Sequence, residues 1–207
     1  MALLCCTRIL PVLAVNDADQ AEAACRALLA GGVACAEITF RTDGAEQAIR
    51  TIASQTDVRV GAGTVIDSGL VDRAAAAGAT FVVTPGFSAS VVERCLEIGM
   101  PVIPGVGGAT DIMSALSYGL TVLKLFPAES LGGPQTVMAL SGPFPTVRFV
   151  PTGGVTAATA PGYLAIDSVA AVGGSWIIPP RAITGRRFEE VELLAAEAVA
   201  ICAEDEP

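Results

Sequence analysis

The chain has 207 residues, 52% of them hydrophobic and 16% charged, with a formal net charge of −9. That length and apolar content suit one well-buried domain spanning 1–207 and exclude a disordered chain. With 12 Lys and Arg against 21 Asp and Glu there is no basic footprint for nucleic acid or an anionic membrane, and no apolar run reaches membrane-spanning length.

The start, Met1-Ala-Leu-Leu-Cys-Cys6, is apolar but lacks a basic leader region, and Arg8 interrupts it, so a soluble cytoplasmic protein is expected. The cysteines are Cys5, Cys6, Cys25, Cys35, Cys95 and Cys202. They form no C-x-x-C pair, and the chain has no histidine, so no zinc spacing exists and no metal is expected. Most sit in apolar or helical stretches and read as buried thiols; the adjacent Cys5-Cys6 is the odd pair.

Short β-rich apolar runs recur along the chain, near Ile9–Val15, Ala36–Phe40, Val58–Val65, Phe81–Thr84, Pro101–Val106, Thr121–Phe126, Phe149–Thr152 and Ser168–Gly173. Helical patterns fill the gaps. Asp17–Ala30 opens on a capping aspartate and closes at Gly31-Gly32; Val71–Ala77, Ser88–Ile98 and Ser114–Tyr118 each end at a glycine. The alternation repeats roughly every 20–25 residues, which predicts an α/β fold with a parallel sheet under helices. A single (β/α)8 TIM barrel fits best, with a doubly wound open sheet as the alternative.

Several strands finish in Gly- or Pro-rich turns: Gly61-Ala-Gly-Thr64, Thr84-Pro-Gly86, Pro104-Gly-Val106, Phe126-Pro127, Thr152-Gly-Gly154 and Gly173-Gly-Ser175. In a barrel these ends converge on the face that carries the active site, and lean turns let a ligand approach the backbone.

Alternation along Glu37-Ile-Thr-Phe-Arg41 puts Glu37, Thr39 and Arg41 on one face and Ile38 and Phe40 on the other. Placed inward near the barrel mouth, Glu37 could be a general base and Arg41 could clamp a carboxylate; a structural Glu–Arg pair is the alternative. Lys124, the only lysine of the chain, lies in the apolar run Thr121-Val-Leu-Lys-Leu-Phe126 and shares a face with Phe126. Apolar surroundings disfavour an ammonium relative to the free amine, which suits a nucleophile; a strand-end lysine snorkelling to water is the alternative. Thr64 and Thr152 offer hydroxyls at strand ends. Asp111 and Glu129 sit where helix capping is the simpler role. Gly153-Gly154 and Gly173-Gly174-Ser175 follow the seventh and eighth strands, where barrels often hold phosphate on backbone amides. Together these parts suggest imine chemistry: a neutral amine attacks a ketone, and the protonated imine accepts the electrons of a neighbouring C–C bond.

The segments Glu37-Ile-Thr-Phe-Arg-Thr42, Gly61-Ala-Gly-Thr-Val65, Thr84-Pro-Gly86, Pro104-Gly-Val106, Lys124-Leu-Phe-Pro-Ala-Glu129, Pro151-Thr-Gly-Gly-Val155 and Gly173-Gly-Ser-Trp176 resemble, in order, the 2-keto-3-deoxy-6-phosphogluconate / 4-hydroxy-2-oxoglutarate aldolases. The resemblance implies a class I pyruvate aldolase, a lyase on a (β/α)8 barrel. Its substrate would be a keto acid or phosphorylated sugar acid, with no metal or other cofactor and homotrimeric assembly. It implies Lys124 as the Schiff-base nucleophile, Glu37 as general acid/base and Arg41 as the holder of the pyruvyl carboxylate. Thr64, Pro85, Phe126 and Thr152 then line the pocket, and Gly153, Gly154 and Ser175 form the phosphate end. Phe40 stands where the resemblance favours leucine, on the outward face. The start is shorter than the resemblance implies, so a capping N-terminal helix is expected to be reduced or absent.

Overall fold

The computed structural model describes residues 7–203. The apolar start with Cys5-Cys6 and the acidic tail at 204–206 lie outside the described residues. In chain order the elements are β1 (Ile9–Leu13), α1 (Ala18–Ala30), β2 (Cys35–Thr39), α2 (Ala45–Gln55), β3 (Arg59–Gly63), α3 (Ser68–Ala77), β4 (Val82–Val83), α4 (Ala89–Glu97) and β5 (Val102–Ile103). Then come β6 (Gly105–Val106), α5 (Ala109–Ser117), β7 (Val122–Leu125), a 3-10 turn (Glu129–Leu131), α6 (Pro134–Ser141), β8 (Arg148–Phe149), α7 (Ala160–Leu164), β9 (Val172–Gly174), α8 (Pro180–Thr184) and α9 (Phe188–Ala203).

Each expected strand region overlaps a strand, though β8 shares only Phe149 with the expected Phe149–Thr152, and every named pairing is parallel. The result is an α/β fold with a curled parallel sheet under helices. One ladder runs β5-β4-β3-β2-β1-β9 and a second runs β6-β7-β8. They separate at Pro104, which lacks an N–H and divides the fifth strand region into β5 and β6. Beyond the proline, the Gly105 N–H donates to the Thr84 hydroxyl at 2.8 Å instead of to a backbone carbonyl. Between β8 and β9 the ladder thins to isolated parallel bridges, Phe149↔Val169 and Thr152↔Gly173.

Local chemistry explains the helix ends. The Asp17 carboxylate accepts from the N–H groups of Asp19 and Gln20 at the start of α1, and Asp67 accepts from Leu70 N–H at the start of α3. Gly78 closes α3 in the left-handed region, φ +93°, where a side chain is costly. Helix α5 begins at Ala109, five residues earlier than the expected Ser114, directly after Gly107-Gly108.

The two sheet faces bury different things. Ile38 joins the large cluster between sheet and helices, and Phe40 packs against its edge with the Arg73 guanidinium 5.4 Å from its ring centroid. On the other face Leu10, Cys35, Phe81, Val83, Ile103, Val150 and Ala171 form a separate apolar plug, with Val122 packed on it. The Phe81 ring occupies the space a Cβ on Gly61 would need. At the strands' N-terminal end Arg8 donates to the carbonyls of Leu164 and Val169, at 2.9 and 3.0 Å.

Candidate active site

Above the apolar plug the same sheet face becomes polar. The β2 alternation turns Glu37 inward with no exposure, and β7 brings Lys124 to meet it with 6% of its side chain exposed. Lys124 Nζ lies 3.1 Å from Glu37 Oε1 and 3.4 Å from Oε2. The ammonium also faces the Phe126 ring, 5.3 Å from its centroid, a cation–π distance. Burying two charges costs more than a lone contact returns, so a buried pair of this kind is weak evidence for stability and better evidence for a function. Lys124 therefore does not snorkel, and Glu37 pairs with it and not with Arg41.

Gly63 on the neighbouring strand makes room for the carboxylate: a Cβ there would collide with Glu37 Oε1 and Cγ. Arg41 stands at the exposed rim. Its Nε–H donates to Thr39 Oγ1 at 3.1 Å, and the Thr39 hydroxyl donates to the Leu13 carbonyl at 3.2 Å, so a buried threonine orients an exposed guanidinium. Thr64 has φ +57°. A β-branched residue in the left-handed region costs on the order of 1–3 kcal/mol, and such strain concentrates at functional sites.

The cavity over this pair measures about 550 Å³. All ten residues singled out from the sequence border it: Lys124, Glu37, Arg41, Thr64, Pro85, Phe126, Thr152, Gly153, Gly154 and Ser175. Also on the lining, Gly153 and Gly154 have φ +95° and +87°. Gly173 leaves space filled by the Thr152 hydroxyl, and Gly174 leaves space filled by the Trp176 ring.

Val12, Thr39, Val155, Thr156 and Trp176 also line the cavity and were not singled out as binding residues, as does Gly174 of the expected glycine turn. Thr39 was legible by alternation, and Trp176 by its place after the glycine turn. Asp111 and Glu129 do not cap helices through their side chains as expected. Asp111 Oδ2 accepts from Gly107 N–H at 2.8 Å, and Glu129 Oε1 accepts from the Tyr163 hydroxyl at 2.8 Å. Burial, then the Glu129 contact, pushes the Tyr163 phenol well above its ordinary range, so it remains a donor. Burial pushes the Cys25 thiol up to about 12, helped by Cys35, and burial lifts Cys95 to about 11. Neither competes with the amine as a nucleophile at neutral pH. Among the described residues no three His, Cys, Asp or Glu side chains gather as a metal set, and no helix is long and apolar enough to cross a membrane.

Comparison with known proteins places this geometry among relatives. Residues 2–194 match the family described as KDPG and KHG aldolase. The chain is 44% identical over 195 residues to the 2-dehydro-3-deoxy-phosphogluconate aldolase of Treponema pallidum, covering 94% of this chain and 93% of that protein. It is 40% identical over 192 residues to the KHG/KDPG aldolase of Escherichia coli, covering 92% and 90%. Among solved structures it resembles the KDPG aldolase of Legionella pneumophila with pyruvate captured at low pH as a covalent carbinolamine intermediate. That likeness has a TM-score of 0.92 at 35% identity and covers 95% of this chain and 96% of that one.

Proposed function

The chain belongs to the KDPG and KHG aldolase family, and on that premise we propose that it cleaves 2-keto-3-deoxy-6-phosphogluconate reversibly to pyruvate and D-glyceraldehyde 3-phosphate through an imine on Lys124. The observation that carries the reading is the buried contact of Lys124 Nζ with Glu37 Oε1 at 3.1 Å, inside the cavity.

The 3.1 Å contact lets a proton pass between the two groups. With the proton on Glu37, Nζ is a free amine and adds to the C2 ketone to give a carbinolamine. The carbinolamine hydroxyl leaves as water, taking the proton of Glu37, and a protonated imine forms. The Glu37 carboxylate then removes the proton of the C4 hydroxyl. The C3–C4 bond breaks, its electron pair enters the iminium to make an enamine, and the aldehyde departs. Glu37 returns the proton to C3, and water hydrolyses the imine to release pyruvate. The electron sink is the iminium itself, so these steps call on no metal or organic cofactor.

The remaining lining residues fit the substrate's length. Arg41, oriented by Thr39, holds the carboxylate next to the ketone. Thr64, Pro85, Phe126 and Thr152 enclose the carbon chain, and Gly153, Gly154 and Ser175 receive the phosphate. Backbone amides suit that task because they attract an anion without a basic patch on an acidic protein. Cleavage of 4-hydroxy-2-oxoglutarate to pyruvate and glyoxylate is the second reading. It is favoured by the naming of the Escherichia coli relative and uses the same imine end.

The fold reading extends to a closed (β/α)8 barrel forming one domain over 1–207. It is supported by the plug drawn from strand regions all around the sheet, and by hydrogen bonds that carry the second ladder onward: Thr152 N–H to Leu125 O at 2.9 Å and Gly173 N–H to Pro151 O at 2.8 Å. Homotrimeric assembly rests on the family resemblance, and the cytoplasmic expectation on a sequence without an apolar run of membrane-spanning length.

Lys124 is the only lysine, which makes the test unambiguous. Borohydride added with pyruvate is expected to leave a reduced adduct on the peptide containing Lys124, visible by mass spectrometry, and Lys124→Met is expected to abolish adduct and turnover together. Turnover without an adduct would overturn the imine reading.

A further inference from the structure

Glu129 and Tyr163 are outside the cavity lining, yet they are joined to its glycine-rich end. Glu129 opens the 3-10 turn that follows β7, five residues beyond Lys124. Its N–H donates to the Gly153 carbonyl at 3.1 Å, and the N–H of Ala128 donates to the Thr152 carbonyl at 2.8 Å. Its Cβ and Cγ fill the space beside Gly154, 2.7 Å from where a Cβ would stand. Its carboxylate accepts from the hydroxyl of Tyr163, a fully buried residue on α7, the helix that follows the Gly153–Gly154 turn. One residue thus ties the lysine-bearing strand, the glycine turn and the following helix together.

The charge makes this contact more than packing. A carboxylate beside a turn that is to receive a dianion opposes binding unless it is held in another direction. Among the described residues, the N–H groups of Gly153 and Gly154 donate to no protein acceptor. They are therefore available to an anion, and to the Glu129 carboxylate if it were released. We propose that the Tyr163–Glu129 hydrogen bond keeps that carboxylate off the Gly153–Gly154 amides and holds the turn in its phosphate-receiving shape. Both are then positioning residues that set selectivity for phosphorylated over unphosphorylated aldols. This rests on the reading of that turn as the phosphate end.

The test is Tyr163→Phe, which removes one hydroxyl and keeps the buried ring. KM for 2-keto-3-deoxy-6-phosphogluconate and the inhibition constant of inorganic phosphate are both expected to rise about tenfold, the scale of one charge-assisted hydrogen bond. kcat and the kcat/KM for 4-hydroxy-2-oxoglutarate are expected to stay within about twofold, because the imine end is untouched. Glu129→Gln keeps an acceptor for the phenol and loses the charge, so wild-type selectivity is expected. Glu129→Asp keeps the charge but draws the carboxylate back from the phenol, and reports the same KM split if Tyr163→Phe does not fold. Equal losses on both substrates, or no loss on either, would overturn the proposal. If inorganic phosphate fails to inhibit the wild-type enzyme, the phosphate-end reading falls and takes this inference with it. If it inhibits wild type and the variants equally, this inference alone falls.

Discussion

The two ends of the cavity are built from opposite materials. At the imine end the chemistry lies in side chains: Glu37 and Lys124 project from the interiors of β2 and β7, buried and 3.1 Å apart. At the end proposed to receive phosphate it would lie in backbone shape: Gly153 and Gly154 hold positive φ, and Ser175 is exposed. The division follows from the reaction. Proton transfer and covalent attack need particular functional groups at fixed separation, whereas holding an oxyanion needs only donors arranged around it. The ends should therefore answer mutation in opposite ways. Deleting a side-chain function should be ruinous at the first and mild at the second, and adding a methyl group should be the damaging change at the second.

Glu37→Gln gives the sharpest contrast at the imine end. The amide matches the carboxylate in shape but cannot relay the proton between C4 hydroxyl, C3 and the amine. A fall in kcat of about 10²–10⁴-fold is expected, the range for losing a general acid/base. The slow step is proton transfer, so borohydride should still trap some pyruvate on Lys124. Full turnover by Glu37→Gln would remove Glu37 from the mechanism and leave the buried pair without its chemical role.

Gly154→Ala tests the other end. It deletes no donor and no charge, but the new Cβ meets Glu129 Cβ and Cγ at 2.7 Å and sits on a residue with φ +87°. The turn must shift, and displacing positioned groups by about 1 Å can cost on the order of 100-fold. Steady-state kinetics should show a KM increase of about ten- to 100-fold for the phosphorylated substrate, with borohydride trapping of pyruvate unaffected. An equal loss of trapping would mean that the turn supports the imine end as well.

How much of this was legible in the sequence follows the same division. Period-two alternation places Glu37 and Thr39 on one face of β2, and that is where they stand, because strand geometry is local; Arg41, two residues past the strand's end, still reaches the same cavity. Asp17 and Gly78 mark helix ends for equally local reasons. The break at Pro104 was not read, because it depends on Thr84, 21 residues distant, taking over the bond to Gly105 N–H. Glu129 was assigned to capping because its partner, Tyr163, lies 34 residues away and nothing in either neighbourhood announces the other. The role of Gly63 was equally hidden. One glycine among 22 is marked out only by what its missing Cβ would strike, here the Glu37 carboxylate. Chemistry carried by side-chain identity can be read along the chain, while chemistry carried by excluded volume and long-range contact needs the fold.

Ser175→Ala should have the smallest effect, and it decides whether the comparison holds. The hydroxyl is exposed and neutral, so on the proposed reading its removal forfeits one hydrogen bond to a phosphate that the Gly153 and Gly154 amides would still hold. A net contribution of about 0.5–1.5 kcal/mol corresponds to a rise of roughly two- to 13-fold in KM. kcat should be unchanged, because the phosphate takes no part in breaking the C3–C4 bond and a contact to it acts alike on ground and transition states. If Ser175→Ala costs more than Gly154→Ala, the phosphate end depends on a side chain after all, and the two ends differ in degree and not in kind. If it costs less, the anion is held by a shape that the single added methyl group of Gly154→Ala would spoil.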